Sequence, residues 1–108
     1  MRKIKGKGSE DKVEVFLREK GFRILARNYR KVFGEIDIIA EKEGEVWFFE
    51  IKTVNENFLP IDKIDKRKIL RMAKVAETFM TERELNLPSR FFLVEVGEDI
   101  KITEIDAW

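Results

Sequence analysis

Hydrophobic and polar residues follow a helical period near the start of the chain. Val13 and Leu17 recur at the 3.6-residue spacing that places apolar side chains on one face of a helix. Ser9 is a residue type that often caps a helix start, and Gly21 is one that often follows a helix end. The pattern therefore predicts an amphipathic helix over residues 10–20.

Further along, runs of β-branched and aromatic residues separated by turn residues indicate strands. The predicted strands cover residues 22–26, 35–40, 46–53, 91–96 and 100–105. Lys42-Glu43-Gly44 forms a short turn, so the second and third strands are expected to form an antiparallel hairpin. A loop over residues 54–62 then leads to a second helix.

The second helix is expected to start between residues 62 and 65 and to end near Arg83. Its apolar stripe comprises Ile69, Met72, Ala73, Ala76, Phe79 and Met80. The order α-β-β-β-α-β-β predicts an α/β fold, with one mixed sheet of about five strands flanked by helices. At 108 residues the chain fits one domain, predicted over residues 9–108 after a flexible basic arm at residues 1–8.

The composition limits the chemistry that is available to the protein. The chain contains no Cys and no His, which excludes disulfides, thiolate or imidazole metal sites, and histidine-based catalytic triads. A bound metal would need oxygen ligands, and such ligands favour hard cations such as Mg²⁺, Mn²⁺ or Ca²⁺. Catalysis would therefore depend on carboxylates, lysines or a metal ion.

The charge of the chain is high but balanced. The 22 basic and 21 acidic residues leave a net charge of +1, so only local patches could indicate a nucleic-acid partner. The Glu- and Lys-rich mixture is typical of a thermophile protein with many surface ion pairs, and an ordinary solvated surface is the alternative. No apolar run approaches the roughly 20 residues of a membrane span, and no signal core follows the basic N-terminus. The expected location is the cytoplasm.

Charged residues interrupt the apolar strands of the predicted hairpin. Because side chains alternate between the two faces of a strand, Ile36, Ile38 and Ala40 are expected on one face of the second strand. The same alternation places Asp37 on the other face, and it places Glu50 and Lys52 on one face of the third strand. Opposed residues in an antiparallel hairpin have a constant sum of numbers, here roughly 86–88, so Asp37 and Glu50 are expected to lie side by side.

Adjacent carboxylates repel unless one is protonated or a cation lies between them. A divalent cation would satisfy Asp37 and Glu50, and Lys52 would then lie where it can orient a water against a phosphate. Glu10 lies on the apolar stripe of the first helix and is a candidate for a further ligand, directly or through water. The alternatives are a Glu–Lys pair on a solvated strand face, and a helix-start glutamate favoured by the helix dipole.

Two strings resemble a known signature. Gly34-Glu35-Ile36-Asp37-Ile38-Ile39-Ala40, followed by Phe49-Glu50-Ile51-Lys52-Thr53, resembles the GEIDLIA and FVEVKTR segments of the YraN-type family. That family is assigned to the PD-(D/E)xK nuclease superfamily, and the resemblance covers nearly the whole chain. The sequence departs from the pattern at three positions. Val54 stands where Arg is usual, Phe92 stands where an acid is usual, and Ser9 replaces a glycine.

The resemblance implies a restriction-endonuclease-like core and a Mg²⁺ or Mn²⁺ site. By analogy, Asp37 and Glu50 would bind the metal together with the Ile51 carbonyl oxygen. Lys52 would be the catalytic lysine and Glu10 the helix acid. A further position, Lys68, resembles an accessory lysine near the scissile phosphate, and the alternative is one surface lysine among many.

Basic residues gather in two places. The second helix region contains Lys63, Lys66, Arg67, Lys68, Arg71 and Lys74, and the N-terminal arm contains Lys3, Lys5 and Lys7. These cations are candidates for phosphate contacts, unless Asp62, Asp65 and Glu77 reduce the helix to an ordinary solvated face. The aromatic candidates for base stacking are Tyr29, Trp47 and Phe58, although Trp47 shares a strand face with core residues.

The sequence thus favours a metal-dependent nuclease that acts on DNA, with RNA the less favoured substrate and a branched or structured duplex as one substrate form. A second hypothesis is a nuclease-fold protein that binds nucleic acid or a protein partner without cleaving. A third is a structural subunit whose basic helix docks on a partner. A more distant resemblance to archaeal Holliday-junction resolvases implies a homodimer by analogy.

Overall fold

One sheet with a helix on each face makes up the fold in the computed structural model, which describes residues 5–54 and 65–105. The helices are α1, Lys5–Glu19, and α2, Lys66–Glu82. The strands are β1, Arg23–Lys31; β2, Gly34–Lys42; β3, Glu45–Thr53; β4, Ser89–Val96; and β5, Ile100–Glu104. The predicted order α-β-β-β-α-β-β is confirmed.

The five strands lie side by side in sequence order, β1-β2-β3-β4-β5. All neighbouring pairs are antiparallel except β3 and β4, which are parallel. A parallel pair needs a crossover connection, and α2 lies within that connection. The sheet is therefore mixed, as the sequence predicts, and the β2–β3 hairpin is confirmed.

Helix α1 begins earlier than the sequence pattern indicates. It starts at Lys5, so the prediction that Ser9 caps the helix is wrong, and residues 5–8 of the predicted arm belong to the helix. The predicted end is correct. Gly21 has a φ of +92°, and the Phe22 and Gly21 amides donate to the carbonyl oxygens of Leu17 and Arg18. This is the Schellman arrangement that a C′ glycine permits.

The first strand is also longer than predicted. It continues past Ala26 to Lys31, because the polar residues that suggested a loop pair with β2 along its edge. The register shifts between Ile24 and Ala26, which indicates an irregularity in β1 at this point.

Hydrophobic side chains fill both faces of the sheet. The core between the sheet and α1 includes Val13, Leu17, Ile38, Phe49 and Val94. The core between the sheet and α2 includes Ile36, Ile39, Phe48, Val75 and Phe79. The central strand β3 contributes alternate residues to the two cores, so its position is fixed from both sides. No helix in the described ranges is both long enough and apolar enough to cross a bilayer.

Helix α2 begins as predicted. The Asp65 carboxylate accepts a hydrogen bond from the Lys68 amide at 2.9 Å and so caps the first turn. The buried residues are Met72, Val75, Ala76 and Phe79, a set that contains Val75 in addition to predicted positions. Ile69, Ala73 and Met80, at the margin of the predicted stripe, are half-buried. The face in contact with the sheet is therefore rotated slightly toward Val75.

Candidate active site

Two buried carboxylates meet at the open end of the β2–β3 hairpin. The observed pairing of the hairpin ends at Ile38 and Phe49, a sum of 87, and extending this register by one residue places Asp37 beside Glu50. Asp37 is 9% exposed and Glu50 is 6% exposed. The alternative of a solvated strand face is therefore wrong for both residues, and the predicted adjacency agrees with the observed register.

Asp37 also binds the backbone of the neighbouring strand. Its Oδ2 accepts a hydrogen bond of 2.7 Å from the Ile51 amide. This contact holds the side chain against the end of β3, one residue past Glu50. It also places the backbone of Ile51, whose carbonyl is the further ligand implied by the family resemblance, next to the carboxylate pair.

The alternation of side chains along β2 breaks at Asp37. Ile36 packs in the α2-side core, whereas Ile38 packs in the α1-side core. The prediction that these two residues share a face is therefore wrong. Across the strand pair, Asn28 lies between the partners of Ile36 and Ile38 and has a φ of +52°. An irregular backbone conformation on the neighbouring strand thus coincides with the break, and strict alternation cannot predict it.

The environment of Asp37 disfavours its charged form. Burial, followed by repulsion from Glu50, raises the pKa of Asp37 to about 7, against an ordinary value of 3.8. The hydrogen bond from the Ile51 amide lowers this pKa, and the nearby Glu10 raises it further. A carboxylate pair with a raised pKa is the electrostatic situation that a bound cation would relieve.

A lysine from α2 reaches this pair. Lys68 Nζ lies 2.7 Å from Glu50 Oε2, and the Lys68 side chain remains 38% exposed. Lys68 is thus not merely one surface lysine among many. Lys52 follows Glu50 by two residues on β3 and is half-buried. In the parallel register of β3 and β4 it lies opposite the buried Glu95. Two lysines and the buried carboxylates of Asp37, Glu50 and Glu95 therefore lie at one end of the central strands.

Glu10 lies on the buried face of α1, at 7% exposure, and is bonded to β1. Its Oε1 accepts hydrogen bonds from Arg27 Nη2 at 3.1 Å and from Asn28 Nδ2 at 3.0 Å. Glu10 is therefore not a helix-start glutamate in contact with solvent, since α1 begins five residues earlier. It is close enough to Asp37 to affect the pKa of that residue.

Arg27 and Asn28 are the neighbours of the site that sequence reasoning missed. Arg27 Nη1 also contacts Asp11 at 2.8 Å and Glu14 at 3.0 Å, so it joins three acids of α1 to β1. The sequence pattern gives no signal for Arg27, because this residue lies just past the predicted strand at residues 22–26 and is one of three arginines in β1. The Asn28 contact depends on an unusual backbone angle that the sequence pattern does not reveal.

The donor set fits a hard cation with few protein ligands. Within the described ranges no three acidic side chains gather into a complete metal-binding cluster. Asp37 and Glu50 supply two adjacent carboxylates, and the chain has no Cys or His to offer softer ligands. This suits Mg²⁺ or Mn²⁺, which are often held by one or two carboxylates while water and phosphate oxygens complete the shell.

The basic residues of α2 extend away from this site. Lys66, Arg67, Arg71 and Lys74 are exposed along the helix. Lys63 and Lys3 lie outside the described residues, and for Lys5 and Lys7 only the helical backbone is described. The first turn of α2 itself contains no acid, and the carboxylate beside its cations is that of the N-cap residue Asp65, whose pKa is lowered by its hydrogen bond from the Lys68 amide and by the nearby Arg67 and Arg71.

The fold and the site together define a class: an α/β protein with a mixed five-stranded sheet and a buried carboxylate pair flanked by lysines at one end of the central strands. The chain belongs to the family described as "Uncharacterised protein family UPF0102", whose model matches residues 9–96. This is the YraN-type family, so the resemblance found in the sequence is confirmed.

Relatives match most of the chain. A UPF0102 protein of Pseudothermotoga lettingae is 43% identical over 93 residues, which cover 85% of this chain and 87% of the relative. One of Thermotoga neapolitana is 40% identical over 90 residues, which cover 83% of this chain and 84% of the relative. One of Kosmotoga olearia is 34% identical over 108 aligned positions, which cover 96% of this chain and 94% of the relative. The likeness therefore extends along the fold and is not confined to the site motif.

Proposed function

We propose that this protein is a Mg²⁺- or Mn²⁺-dependent nuclease that hydrolyses phosphodiester bonds in DNA. The observation that carries the proposal is the buried pair of Asp37 and Glu50, adjacent in register and with the pKa of Asp37 raised to about 7. Burying two like charges side by side is costly unless a ligand relieves the repulsion. A divalent cation between them is the ligand that the oxygen donors favour.

Each side chain has a task in this proposal. Asp37 and Glu50 would hold the cation together with the Ile51 carbonyl oxygen. Glu10, whose carboxylate is hydrogen-bonded to Arg27 and Asn28, would contact the cation through a water molecule. When bound, the cation would stabilise negative charge on the phosphate and lower the pKa of a water. Lys52 would orient that water against the phosphorus atom.

Lys68 would have a different role from Lys52. In the metal-free protein its ammonium neutralises Glu50 at 2.7 Å. With the carboxylate engaged by a cation, the half-exposed side chain would turn toward the incoming phosphate and stabilise its developing charge.

A nucleic-acid substrate is supported by the distribution of basic residues. The net charge is only +1, yet the segment from Lys63 to Lys74 contains six cations in twelve residues. Phosphate contacts from such a patch supply sequence-independent affinity. Lys68, which belongs to this segment, contacts Glu50, so a backbone bound along α2 would pass next to the carboxylate pair.

The alternative function is nucleic-acid binding without cleavage. Two contacts favour it: Lys68 already neutralises Glu50, and Arg27 with Asn28 already bonds Glu10. A site whose acids are satisfied by the protein itself can be stable without a metal. The same fold can keep its binding surface while its chemistry is lost.

Calorimetric titration with Mn²⁺, followed by incubation with supercoiled, branched and single-stranded DNA, tests the proposal. We expect wild-type protein to bind Mn²⁺ and to cleave at least one substrate. Asp37→Asn should lose metal binding and cleavage. Lys52→Ala should keep metal binding and lose cleavage by about 10²-fold or more, because it removes a group that acts on the water.

Lys12→Ala is the matched control for Lys52→Ala, since Lys12 is an exposed lysine on α1. This variant should cleave like the wild type. Absence of Mn²⁺ binding to the wild type would overturn the nuclease proposal. Binding of Mn²⁺ without cleavage of any substrate would instead favour the alternative.

A further inference from the structure

The turn between β1 and β2 presents two hydrophobic side chains that do not complete either core. Val32 is fully exposed, and Phe33 exposes 39% of its surface. Isolated exposed apolar residues are common on protein surfaces and need no explanation. These two differ because they are adjacent at the tip of a hairpin, next to a row of exposed cations.

The tip is held against α2 by a close backbone approach. A Cβ atom on Gly34 would lie 3.2 Å from Val75 Cγ2 and 3.5 Å from Arg71 Cβ, so a residue without a side chain suits this position. Lys74 Nζ lies 5.9 Å from the centroid of the Phe33 ring. The exposed ring is therefore next to one particular flank of the helix.

That flank is basic. Arg67, Arg71 and Lys74 are spaced i, i+4 and i+7, which places them along one side of α2 over about 10 Å. All three are exposed, and the nearby Asp65 carboxylate interacts electrostatically with Arg67 and Arg71. The helix sequence from Lys66 to Ala76 contains five cations and no acid. The exposed flank can therefore contact a chain of phosphates.

The row of cations starts at the carboxylate pair. Lys68, whose ammonium contacts Glu50, directly follows Arg67 on the helix. Along β2, the distance from Gly34 to Asp37 is three residue steps, or about 10 Å. A polynucleotide with one phosphate at Asp37 and Glu50 would thus have its neighbouring phosphates within reach of the row, and its bases within reach of the hairpin tip.

We propose that Phe33, Val32 and the cations Arg67, Arg71 and Lys74 form a binding strip for single-stranded DNA that flanks the cleavage site. The cations would contact phosphates, and the Phe33 ring would stack on one base. Base faces are hidden within a duplex and open in a single strand, so an exposed ring beside a phosphate-binding row selects unpaired nucleotides. The inference rests on the proposed function and adds its substrate class: DNA with an unpaired segment next to the scissile bond.

The test measures binding in the presence of a chelator, so that no cleavage occurs. Fluorescence anisotropy would compare a labelled twelve-nucleotide oligo-dT, a blunt twelve-base-pair duplex and a twelve-nucleotide oligo-uridine. We expect Phe33→Ala to weaken oligo-dT binding at least about fivefold, the effect of losing one stacked base, and to change duplex binding less than twofold. Val15→Ala, at a comparably exposed apolar residue on α1, should change neither.

The cations have their own signature in the same assay. Arg71→Gln and Lys74→Gln should each weaken oligo-dT binding and reduce the slope of log affinity against log salt by about 0.7, as expected for one phosphate contact to a single strand. Lys12→Gln, on the other face of the sheet, should leave the slope unchanged. A Phe33→Trp variant should keep the affinity, and its added fluorescence should be quenched by oligo-dT.

Several outcomes would overturn the strip. One is an equal effect of Phe33→Ala and Val15→Ala on oligo-dT binding, and another is an equal loss of duplex and oligo-dT binding in Phe33→Ala. The others are no quenching of Phe33→Trp by oligo-dT, and tighter binding to oligo-uridine than to oligo-dT.

Failure of the proposed nuclease function can be distinguished from failure of the strip. A protein that binds oligo-dT through Phe33 but neither binds Mn²⁺ nor cleaves would support the strip and refute the nuclease. Cleavage that is unaffected by Phe33→Ala and Arg71→Gln would refute the strip alone.

Discussion

At the residue scale, three conditions act together on the carboxylate of Asp37. It is buried, it neighbours the buried Glu50, and it accepts a backbone hydrogen bond from the Ile51 amide. The first two disfavour its charge and the third favours it, and the net effect is a pKa raised to about 7. The protonation state of one side chain therefore changes near neutral pH.

The raised pKa has a consequence for stability. The folded-state pKa of Asp37, about 7, exceeds the ordinary value of 3.8, so between these pH values the folded protein binds more protons than the unfolded chain. The free energy of unfolding of the metal-free protein should therefore fall as pH rises from about 4 to about 7, and flatten above that. A tenfold difference in proton affinity between the folded and unfolded states corresponds to about 1.4 kcal/mol, so the total fall is on the order of a few kcal/mol.

Urea unfolding between pH 5 and pH 8 with a chelator present would measure this dependence. Asp37→Asn keeps an acceptor for the Ile51 amide and removes the titrating group, so it should show a flatter profile and exceed the wild type in stability at pH 8. Parallel profiles for the two proteins would show that Asp37 is not the titrating group.

The contact of Lys68 with Glu50 leads to a second prediction at this scale. Lys68→Met removes the ammonium that lies 2.7 Å from Glu50 Oε2, and should destabilise the metal-free protein by about 1 kcal/mol, since the lysine is part exposed. The same change removes a positive charge that competes for Glu50. Calorimetry should therefore show tighter Mn²⁺ binding, while the cleavage rate should fall.

Lys66→Met supplies the control, because Lys66 is an exposed lysine in the first turn of the same helix. It should leave Mn²⁺ affinity unchanged. Weaker Mn²⁺ binding by Lys68→Met than by Lys66→Met would show that Lys68 supports the metal site instead of competing with the cation.

At the scale of elements, α1 is attached to the end of β3 by a pair of hydroxyl groups. Ser9 Oγ lies 2.5 Å from Thr53 Oγ1, and Ser9 is buried. Thr53 directly follows Lys52, so this contact fixes the helix that carries Glu10 relative to the strand that carries the lysine. The contact replaces the capping role that the sequence suggested for Ser9.

Ser9→Ala should therefore destabilise the protein by about 1 kcal/mol, because it leaves the Thr53 hydroxyl without this partner. Adding Thr53→Val removes the second polar group, so the double variant should lose less stability than the two single variants together. Urea unfolding of the four proteins of the cycle measures the difference. Strict additivity would mean that the hydroxyl pair contributes nothing as a pair.

Much of the architecture follows from local sequence patterns, for physical reasons. The apolar run of β3 is typical of a strand buried on both faces, and the 3.6-residue period of α2 is typical of a helix buried on one face, so both elements and their order were predictable. The register of the β2–β3 hairpin was also predictable, because a short turn at Glu43 and Gly44 fixes it. The adjacency of Asp37 and Glu50 follows from that register alone.

The features that escaped prediction depend on contacts between distant parts of the chain. The change of face at Ile36 coincides with the irregular backbone of Asn28 on the neighbouring strand. The start of α1 at Lys5 lies in a stretch with two glycines that local propensity assigns to an arm. The Arg27 contacts join α1 to β1 across the fold, and no local pattern encodes such a pairing.

At the scale of the whole molecule, balanced charge conceals an uneven distribution. Acids of α1 surround Arg27 on one side of the sheet, while the first half of α2 exposes a row of cations on the other. The net charge of +1 averages these regions and so gives no indication of either. A partner with a negatively charged backbone would meet the α2 side, which also contains the hairpin tip and the lysine that contacts Glu50.

The hydrogen bond from the Ile51 amide to Asp37 gives the protein an internal reporter. The amide proton belongs to the central strand of the sheet, yet its acceptor is the side chain proposed to bind the cation. Its chemical shift and its exchange with solvent deuterium should therefore respond to the protonation or ligation of Asp37 before any change of fold occurs. A single backbone resonance in an isotope-labelled sample would thus follow the occupancy of the site without substrate, label or mutation.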